Sequence, residues 1–384
     1  MTPIPVTLLT GFLGSGKTTL LGRVLRDPRF SDTAVIINEF GEVGLDHVLV
    51  EAAREDLVQM TSGCLCCTIR GDIRQTLLSL HARLQAGSAP TFTRVIIETT
   101  GLADPAPVLH TLIADAQVQA RYALSGVVTT VDAVNGEATL AQQGECVKQI
   151  AVADRIVLTK SDLAKDPASR GDVAALLAAV RRLNPGAAVL DRNDTGFDVR
   201  QLFESGLYDP FGKGLDVQRW LNEEAFRAEE ERRHHQEHAH DEHGPDPGHG
   251  HDHGYGPEPH HDVNRHGPDI HAYCIVRDQP MSGMAFALAL ELLIANRGED
   301  LLRVKGIVNL AESPGRPFVI QGVQHVFHDP VWLEQWPSED RRSRIVFITR
   351  GLPRHAIEPV IAAFSGLPPD PAAAAEGEPG GASA

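Results

Sequence analysis

A chain of 384 residues, 42% of them hydrophobic, can bury more than one core, and its length predicts two domains. Its formal net charge of −16 argues against nucleic acid or an anionic membrane surface as a partner. We expect no signal peptide or membrane span, since no basic leader and no apolar run of about 20 residues is found. Five cysteines, three of them clustered, fit a metal site in a reducing cytoplasm better than a disulfide framework.

The first forty residues predict a strand, a glycine-rich turn and a helix. Residues 6–10 are apolar and partly β-branched, and the apolar positions of 19–26 follow one helical face. The turn between them has the full spacing G-x-x-x-x-G-K-[ST] and reads Gly11-Phe12-Leu13-Gly14-Ser15-Gly16-Lys17-Thr18. Glycines let backbone N–H groups converge on a phosphate, and the helix dipole favours the same anion. A nucleoside triphosphate site is predicted, with a chance match as the weaker alternative.

Within this P-loop, the residue types indicate separate roles. Lys17 can reach the outer phosphates and is a candidate catalytic residue. The Thr18 hydroxyl can bind Mg²⁺, and Thr19 completes the predicted nucleotide contacts.

A second motif, Glu98-Thr99-Thr100-Gly101, follows an apolar strand predicted at 94–97. A carboxylate at the end of a strand suits Mg²⁺, and a glycine there suits the neighbourhood of the γ-phosphate. The motif is weak alone and gains weight from the P-loop upstream. The same residues also fit a capping turn before a helix at Pro105, and the two interpretations are compatible.

The rest of this half alternates strands and helices, which predicts an α/β fold with a largely parallel sheet covered on both faces. The other elements are strands at 33–37, 57–60 (weaker), 126–132 and 155–159 and a helix at 70–84. Glycines and acidic residues in 38–46 suit a mobile loop at the carboxyl end of the second strand, where ligands of such sheets bind.

A third motif, Thr159-Lys160-Ser161-Asp162, follows the strand at 155–159. The Asp162 carboxylate can accept hydrogen bonds from two donors of guanine that adenine does not present, and Lys160 can lie along the base. Thr159 stands where many GTPases carry Asn. Together with the P-loop, the motif favours GTP over ATP.

Three thiols, Cys64, Cys66 and Cys67, lie within four residues. Cys64 and Cys66 fall on one side of an extended segment, and a turn can bring Cys67 towards them. Clustered thiolates suit Zn²⁺ or Cu(I), and a fourth position is left for water, another residue or an acceptor's ligand. Buried small side chains or a redox group are the alternatives. Cys146 and Cys274 fall in helical and strand patterns and are expected in the core.

Residues 222–268 are predicted to be a disordered linker, because their Glu, Arg, His, Gly, Asp and Pro cannot form a core. Eleven histidines lie between 234 and 266. Neutral imidazole binds Zn²⁺, Ni²⁺, Co²⁺ and Cu²⁺, so weak auxiliary metal sites are expected, and a solvated spacer is the alternative. The candidates are His234, His235, His238, His240, His249, His251 and His253.

Order is predicted to resume after the linker in a small α+β domain over 269–365. Its predicted elements are strands at 270–276, 301–310, 318–327 and 344–349 and helices at 283–296 and 354–364. Residues 1–221 would form the nucleotide domain, and the Ala-, Pro- and Gly-rich residues 366–384 a disordered tail.

Taken together, these motifs resemble the CobW-type metallochaperone GTPases, relatives of the nickel GTPases of hydrogenase and urease maturation. The resemblance covers nearly the whole chain. The motifs that carry it are residues 11–18, Asn38-Glu39-Phe40-Gly41, Cys64-Leu65-Cys66-Cys67, residues 98–105 and 159–162 and, in the second domain, residues 302–306 and 321–325.

The resemblance implies GTP hydrolysis coupled to delivery of a metal, usually zinc and otherwise Co²⁺ or Ni²⁺, to a client apo-protein. By the same resemblance, the three clustered cysteines would hold the metal, and Glu39 and Glu42 would lie in the first switch loop, Glu39 as a catalytic residue. Whether the chain forms a homodimer is left open.

Two other hypotheses compete with the metal-delivering GTPase. One is a GTP-dependent regulatory switch whose cysteines form only a structural site. The other is a metal buffer that acts mainly through the histidines of the linker. Metal-stimulated GTP turnover and a labile metal site separate the first hypothesis from these two.

Overall fold

Two β-sheets organise the chain, one parallel and one antiparallel. The computed structural model describes residues 3–38, 66–69, 72–164, 172–203, 221–222, 225–229, 232, 270–328 and 330–365. In these residues, no helix is long and apolar enough to span a membrane.

Seven parallel strands form the first sheet, in the order β3-β2-β4-β1-β5-β6-β7. They are β1 Ile4–Gly11, β2 Thr33–Asn38, β3 Cys66–Ile69, β4 Arg94–Thr99, β5 Tyr122–Asp132, β6 Arg155–Thr159 and β7 Ala188–Asp191. The helices between them are α1 Lys17–Leu25, α2 Ile73–Gln85, α3 Ala106–Ala114, α4 Ala116–Gln119, α5 Gly136–Gln142, α6 Gly144–Ala151, α7 Ser161–Ala164 and α8 Val173–Leu183. Pro28–Phe30 and Val199–Leu202 are 3₁₀ turns.

The sheet buries both of its faces, as the continuous apolar strands predict. In β1, Val6 and Leu8 belong to the core on one face, with α2 and α3. Leu9 belongs to the core on the other face, with α1. Since successive side chains of a strand alternate, the central strand serves two hydrophobic cores and carries the P-loop at its carboxyl end.

Six antiparallel strands and two helices form the second unit. The strands are β8 Ile270–Arg277, β9 Arg303–Val308, β10 Phe318–Val323, β11 Val326–Phe327, β12 Val331–Trp332 and β13 Ser343–Arg350, and the helices are α9 Gly283–Arg297 and α10 Arg354–Ser365. Gly298–Asp300 is a 3₁₀ turn. One face of the sheet packs on α9 and α10. The predicted order of parallel α/β sheet and smaller α+β unit is confirmed.

The other face of the antiparallel sheet meets the first unit. Ala151, at the end of α6, shares a hydrophobic cluster with residues of β8, β9, β10 and β13. At this contact Asp154 is buried with two cations of β9: the Arg303 Nη2 atom is 3.4 Å from its Oδ1 atom, and the Lys305 Nζ atom contacts the same oxygen. The N–H of Val127 donates to Asp154 Oδ2 at 2.8 Å. A second contact joins His110 of α3, whose Nε2 lies 3.0 Å from the carbonyl oxygen of Val323.

Several elements differ from the sequence predictions. The single strand predicted at 318–327 is a hairpin, because Gln324 adopts a left-handed φ of 55° and turns the chain between β10 and β11. Cys66–Ile69 is a strand paired with β2, and Cys64 lies outside the described residues, so the grouping of the three thiols stays a prediction. The sequence does not predict the strands β7 and β12 or the helices α4, α5, α7 and α8. The strand at 57–60 and the loop at 39–46 lie outside the described residues.

Candidate nucleotide-binding site

The P-loop joins β1 to α1 as its sequence predicts. Gly14 and Gly16 have left-handed φ angles of 68° and 88°, which L side chains rarely adopt. Gly11 lies against β5, and a Cβ atom there would overlap the Thr130 hydroxyl and stand 2.5 Å from the Thr130 carbonyl oxygen. Gly11 also has a positive φ of 140°, so all three glycines have a conformational reason and Gly11 has a close-packing reason as well.

A row of uncharged hydroxyl groups runs beneath the P-loop across the ends of four strands. We call it the hydroxyl row; its members are Thr99, Thr10, Thr130, Ser15 and Thr159. The Thr99 hydroxyl donates to the Thr10 hydroxyl at 2.8 Å, and the Ser15 and Thr130 hydroxyls lie 2.6 Å apart. The Thr130 hydroxyl donates to the Thr10 carbonyl at 3.3 Å, and the Thr159 hydroxyl donates to the Ser15 carbonyl at 2.7 Å. All five residues are buried, so this row fixes the loop from below.

Two polar side chains of α1 face the same end of the sheet. The Lys17 ammonium donates to the carbonyl oxygens of Gly11 and Phe12, at 2.8 and 3.0 Å. The Thr18 hydroxyl donates to Oε1 of Glu98, at 2.9 Å. Glu98 is the second-last residue of β4 and is 5% exposed. The two predicted magnesium ligands, 80 residues apart, are therefore adjacent.

The turn after Glu98 packs directly on the P-loop. A Cβ atom on Gly101 would stand 2.5 Å from the backbone nitrogen of Leu13, so only glycine permits this approach. Two side chains of α6 hold the turn from the other side. Gln149 Nε2 donates to the carbonyl oxygens of Gly101 and Ala103, at 3.1 and 3.0 Å. The Lys148 ammonium lies 2.7 Å from the Asp104 carboxylate.

At the other end of the P-loop lies the predicted base site. Lys160, with a left-handed φ of 57°, pairs with Asp132 at 2.7 Å. Burial alone would raise the pKa of Asp132, but the hydrogen bonds from Lys160 and Asn135 prevail and lower it. Asp162 is exposed, and its Oδ1 accepts from Asn193 Nδ2 at 2.7 Å. The carboxylate predicted to read guanine is thus oriented by the loop after β7.

A cavity of about 270 Å³ opens beside this site. Its wall includes Phe12, Leu13, Lys160 and Cys146. Burial raises the pKa of the Cys146 thiol to about 12, so the thiol stays protonated near neutral pH. Cys146 and Cys274 are 4% and 2% exposed, which confirms that both are core residues.

Within the described part of the chain, some predicted site residues lie away from the group formed by the P-loop, Glu98 and the base site. Thr19 is exposed on α1. Thr159 is fully buried, so its hydroxyl serves the P-loop rather than the open base site. Cys66 and Cys67 begin β3, where they pair with Val35 and Ile36 of β2. Outside the described residues lie Glu39, Glu42, Cys64, His234, His235, His238, His240, His249, His251 and His253.

Several residues of the site were not found from the sequence, among them Gln149, Asn193 and Thr130. Gln149 and Asn193 reach it from a helix and a loop that carry no recognisable motif. Thr130 gave a signal that could have been used, since a hydroxyl inside an otherwise apolar buried strand needs a partner.

Two models of protein families match the chain. The model described as CobW/HypB/UreG, nucleotide-binding domain, matches residues 5–191, which include the P-loop and the base site. The model described as cobalamin synthesis protein cobW C-terminal domain matches residues 270–365, the antiparallel unit.

Similar proteins span nearly the same length. Zinc chaperone YjiA of Escherichia coli (strain K12) is 32% identical over 367 residues, covering 96% of this chain and 99% of that protein. Zinc-regulated GTPase metalloprotein activator 1 of Schizosaccharomyces pombe is 27% identical over 380 residues, covering 94% and 85%. A crystal structure of Zn(II)-bound YjiA GTPase from E. coli matches with a TM-score of 0.64 and 29% identity, covering 96% of this chain and 100% of that one.

Proposed function

Because the chain belongs to the CobW family, as its motifs predict, we propose that it is a GTP-hydrolysing metallochaperone that delivers zinc to a client apo-metalloprotein. The observation that carries the proposal is the joining of three separate motifs at one edge of the parallel sheet. The P-loop follows β1, Glu98 lies next to the last residue of β4, and Lys160 and Asp162 follow β6. Relatives described as a zinc chaperone and as a zinc-regulated GTPase support the same activity.

In this proposal, the P-loop holds the phosphates of GTP and Lys17 stabilises the negative charge that shifts on them during hydrolysis. Asp162 accepts from two guanine donors, with Asn193 orienting its carboxylate. Gly101 lies beside the γ-phosphate. Glu39 of the first switch loop is proposed as a further catalytic residue.

The residues around Thr18 fit a magnesium ion. The Thr18 hydroxyl and the Glu98 carboxylate supply hard oxygen ligands 2.9 Å apart, and Mg²⁺ prefers such ligands. When bound, the ion would neutralise charge on the terminal phosphates. Glu98 and Thr18 would hold it, and the Thr99–Thr10 hydrogen bond would keep the end of β4 in place beside β1.

Cys64, Cys66 and Cys67 are proposed to hold the zinc that is delivered, with Co²⁺ or Ni²⁺ as alternative cargo. Strand β3 is two strands from β4, and Ile37 of the intervening β2 pairs with Glu98. A short path therefore joins the cysteine strand to the phosphate site, which supports coupling between metal and nucleotide. The seven linker histidines named above are proposed as weak auxiliary sites.

The remaining features of the proposal concern organisation and partners. Residues 1–221 would form the GTPase domain, 222–268 a His-rich linker, 269–365 the second domain and 366–384 a tail. The protein would act in the cytoplasm on a client apo-metalloprotein, and neither a nucleic acid nor a membrane would be a partner. Whether it forms a homodimer is left open.

The test is chelator competition for zinc with GDP or a non-hydrolysable GTP analogue bound. Coupling between sites is typically ~1–3 kcal/mol, so zinc affinity is expected to differ roughly 5–150-fold between the two nucleotide states. Cys66→Ser should lose the tight site, whereas Cys274→Ala, a buried cysteine outside the motif, should keep it. Equal zinc affinity in both states of the parent would favour the regulatory-switch hypothesis instead.

A further inference from the structure

Gln149 connects a buried helix to the turn that packs on the P-loop. The residue is fully buried in α6, and both donated hydrogen bonds of its amide go to that turn, one to Gly101 and one to Ala103. Its backbone carbonyl oxygen accepts from the Thr129 hydroxyl of β5 at 2.7 Å. The amide nitrogen has two N–H donors, and both are used on this turn.

The turn is confined from three sides. Glu98 and Thr99, which precede the turn, lie in β4, so the start of the turn is held in place by the sheet. Gly101 is pressed against the backbone of Leu13, and Gln149 holds the two carbonyl groups that follow. Since the P-loop contact only limits how near the turn can come, two contacts of α6 keep it from moving away: the Lys148–Asp104 ion pair at residue 104 and the Gln149 amide, which binds Gly101 itself.

We infer that Gln149 is a positioning residue for GTP hydrolysis, setting where Gly101 stands relative to the terminal phosphate. This inference rests on the proposed GTPase function. It assigns to Gln149 no contact with the nucleotide. Its amide acts through the turn, and misplacement of such a group by about 1 Å can cost up to ~100-fold in rate.

The test compares two buried amides of the same neighbourhood. Gln149→Met keeps the length of the side chain and removes both donated hydrogen bonds. Asn184→Leu is the matched control, since Asn184 is 4% exposed and donates to the carbonyl oxygens of Ile150, Ala151 and Ala153 at the end of the same helix. Both variants lose stability, but only the first loosens the turn at Gly101.

We expect Gln149→Met to lower kcat by roughly 10–100-fold and to weaken a non-hydrolysable GTP analogue, with GDP affinity unchanged. Asn184→Leu should retain the parental kcat and both affinities at a temperature where each variant is folded. Amide hydrogen exchange at 101–103 should be faster only in Gln149→Met. A purely structural role would lower the melting temperature of both variants and move none of these other quantities.

Three results would overturn the inference: an unchanged kcat in Gln149→Met, an equal loss in Asn184→Leu, or unchanged exchange at 101–103. Failure of the proposed function is seen separately, as a parent protein that does not hydrolyse GTP. In that case hydrogen exchange still decides whether Gln149 holds the turn.

Discussion

Asp154 should matter far more to stability than Lys305, although the two are partners. Their contact lies between the two sheets, where one carboxylate serves the two cations of β9. Replacing Asp154 by Asn removes the negative charge that both buried cations contact, and such a loss typically costs about 3–5 kcal/mol. Lys305→Met instead leaves the carboxylate paired with Arg303 and with the N–H of Val127, and the Met side chain still packs. We expect this second change to cost about 1 kcal/mol or less.

The pKa shifts of Asp154 and Lys305 also indicate that losing the carboxylate costs more stability than losing the lysine. Burial is the main influence on Lys305 and, with the attraction of Asp154 only partly opposing it, lowers the pKa of Lys305 to about 8. For Asp154, burial acts to raise the pKa, but the nearby Lys305 and Arg303 prevail and lower it. The charged lysine is thus strained by its burial, whereas the charged carboxylate is stabilised by its neighbours.

The lysine adds a pH dependence with a defined sign. Between pH 8 and about 10.5 the unfolded chain holds the Lys305 proton more tightly than the folded one, so the folded state gains stability as pH rises. From pH 7 to 9.5 the gain is about 2 kcal/mol in the parent and absent in Lys305→Met, which lacks the group. Other titrations are common to both proteins and cancel in the difference.

Urea denaturation of the full chain, followed by circular dichroism at pH 7 and 9.5, measures all of these quantities. The parent, the two single variants and the double variant form a complete cycle. A Lys305→Met variant that loses as much stability as Asp154→Asn would refute the reasoning, because it would mean that the carboxylate depends on the lysine alone.

Three further predictions concern the nucleotide and metal sites. Asp162→Asn should weaken GTP binding and relax discrimination against xanthine nucleotides, because an amide accepts only one of the two guanine bonds; equal GTP affinity by titration calorimetry would contradict the base assignment. Gly101→Ala should lower kcat at least tenfold with little change in GDP affinity, since its Cβ atom would meet the Leu13 nitrogen at 2.5 Å; steady-state kinetics and GDP titration check this. Zinc affinity in the parent should rise with pH until the thiols near their intrinsic pKa of ~8.5, and competition titrations of Cys66→Ser should lack this rise.

The sequence predicts best those parts of the site that need fixed residue types at fixed spacing. Gly14, Gly16 and Lys17 belong to one turn, so their pattern is complete within eight residues. Glu98 follows an apolar strand pattern, β4 lies beside β1 in the parallel sheet, and Glu98 Oε1 accepts from the Thr18 hydroxyl at 2.9 Å.

What the sequence does not predict depends on packing between distant segments. Gln149 and Asn193 act through helix and loop placement, which no local pattern encodes. Asp154 and Lys305 meet from positions about 150 residues apart. The hairpin after β10 was missed because its left-handed turn residue is Gln324, where glycine or asparagine would have signalled a turn.

The hydroxyl row beneath the P-loop has a consequence for how ionic conditions act on this protein. Its members carry no charge and do not titrate in the physiological range, so neither ionic strength nor acidity alters the foundation of the loop. A salt or pH dependence of nucleotide affinity therefore reports on Lys17, on the groups at the base site and on the nucleotide itself, and not on the hydroxyl row. Binding measured across a salt series thus reports on these charged groups together, without a contribution from the hydroxyl row.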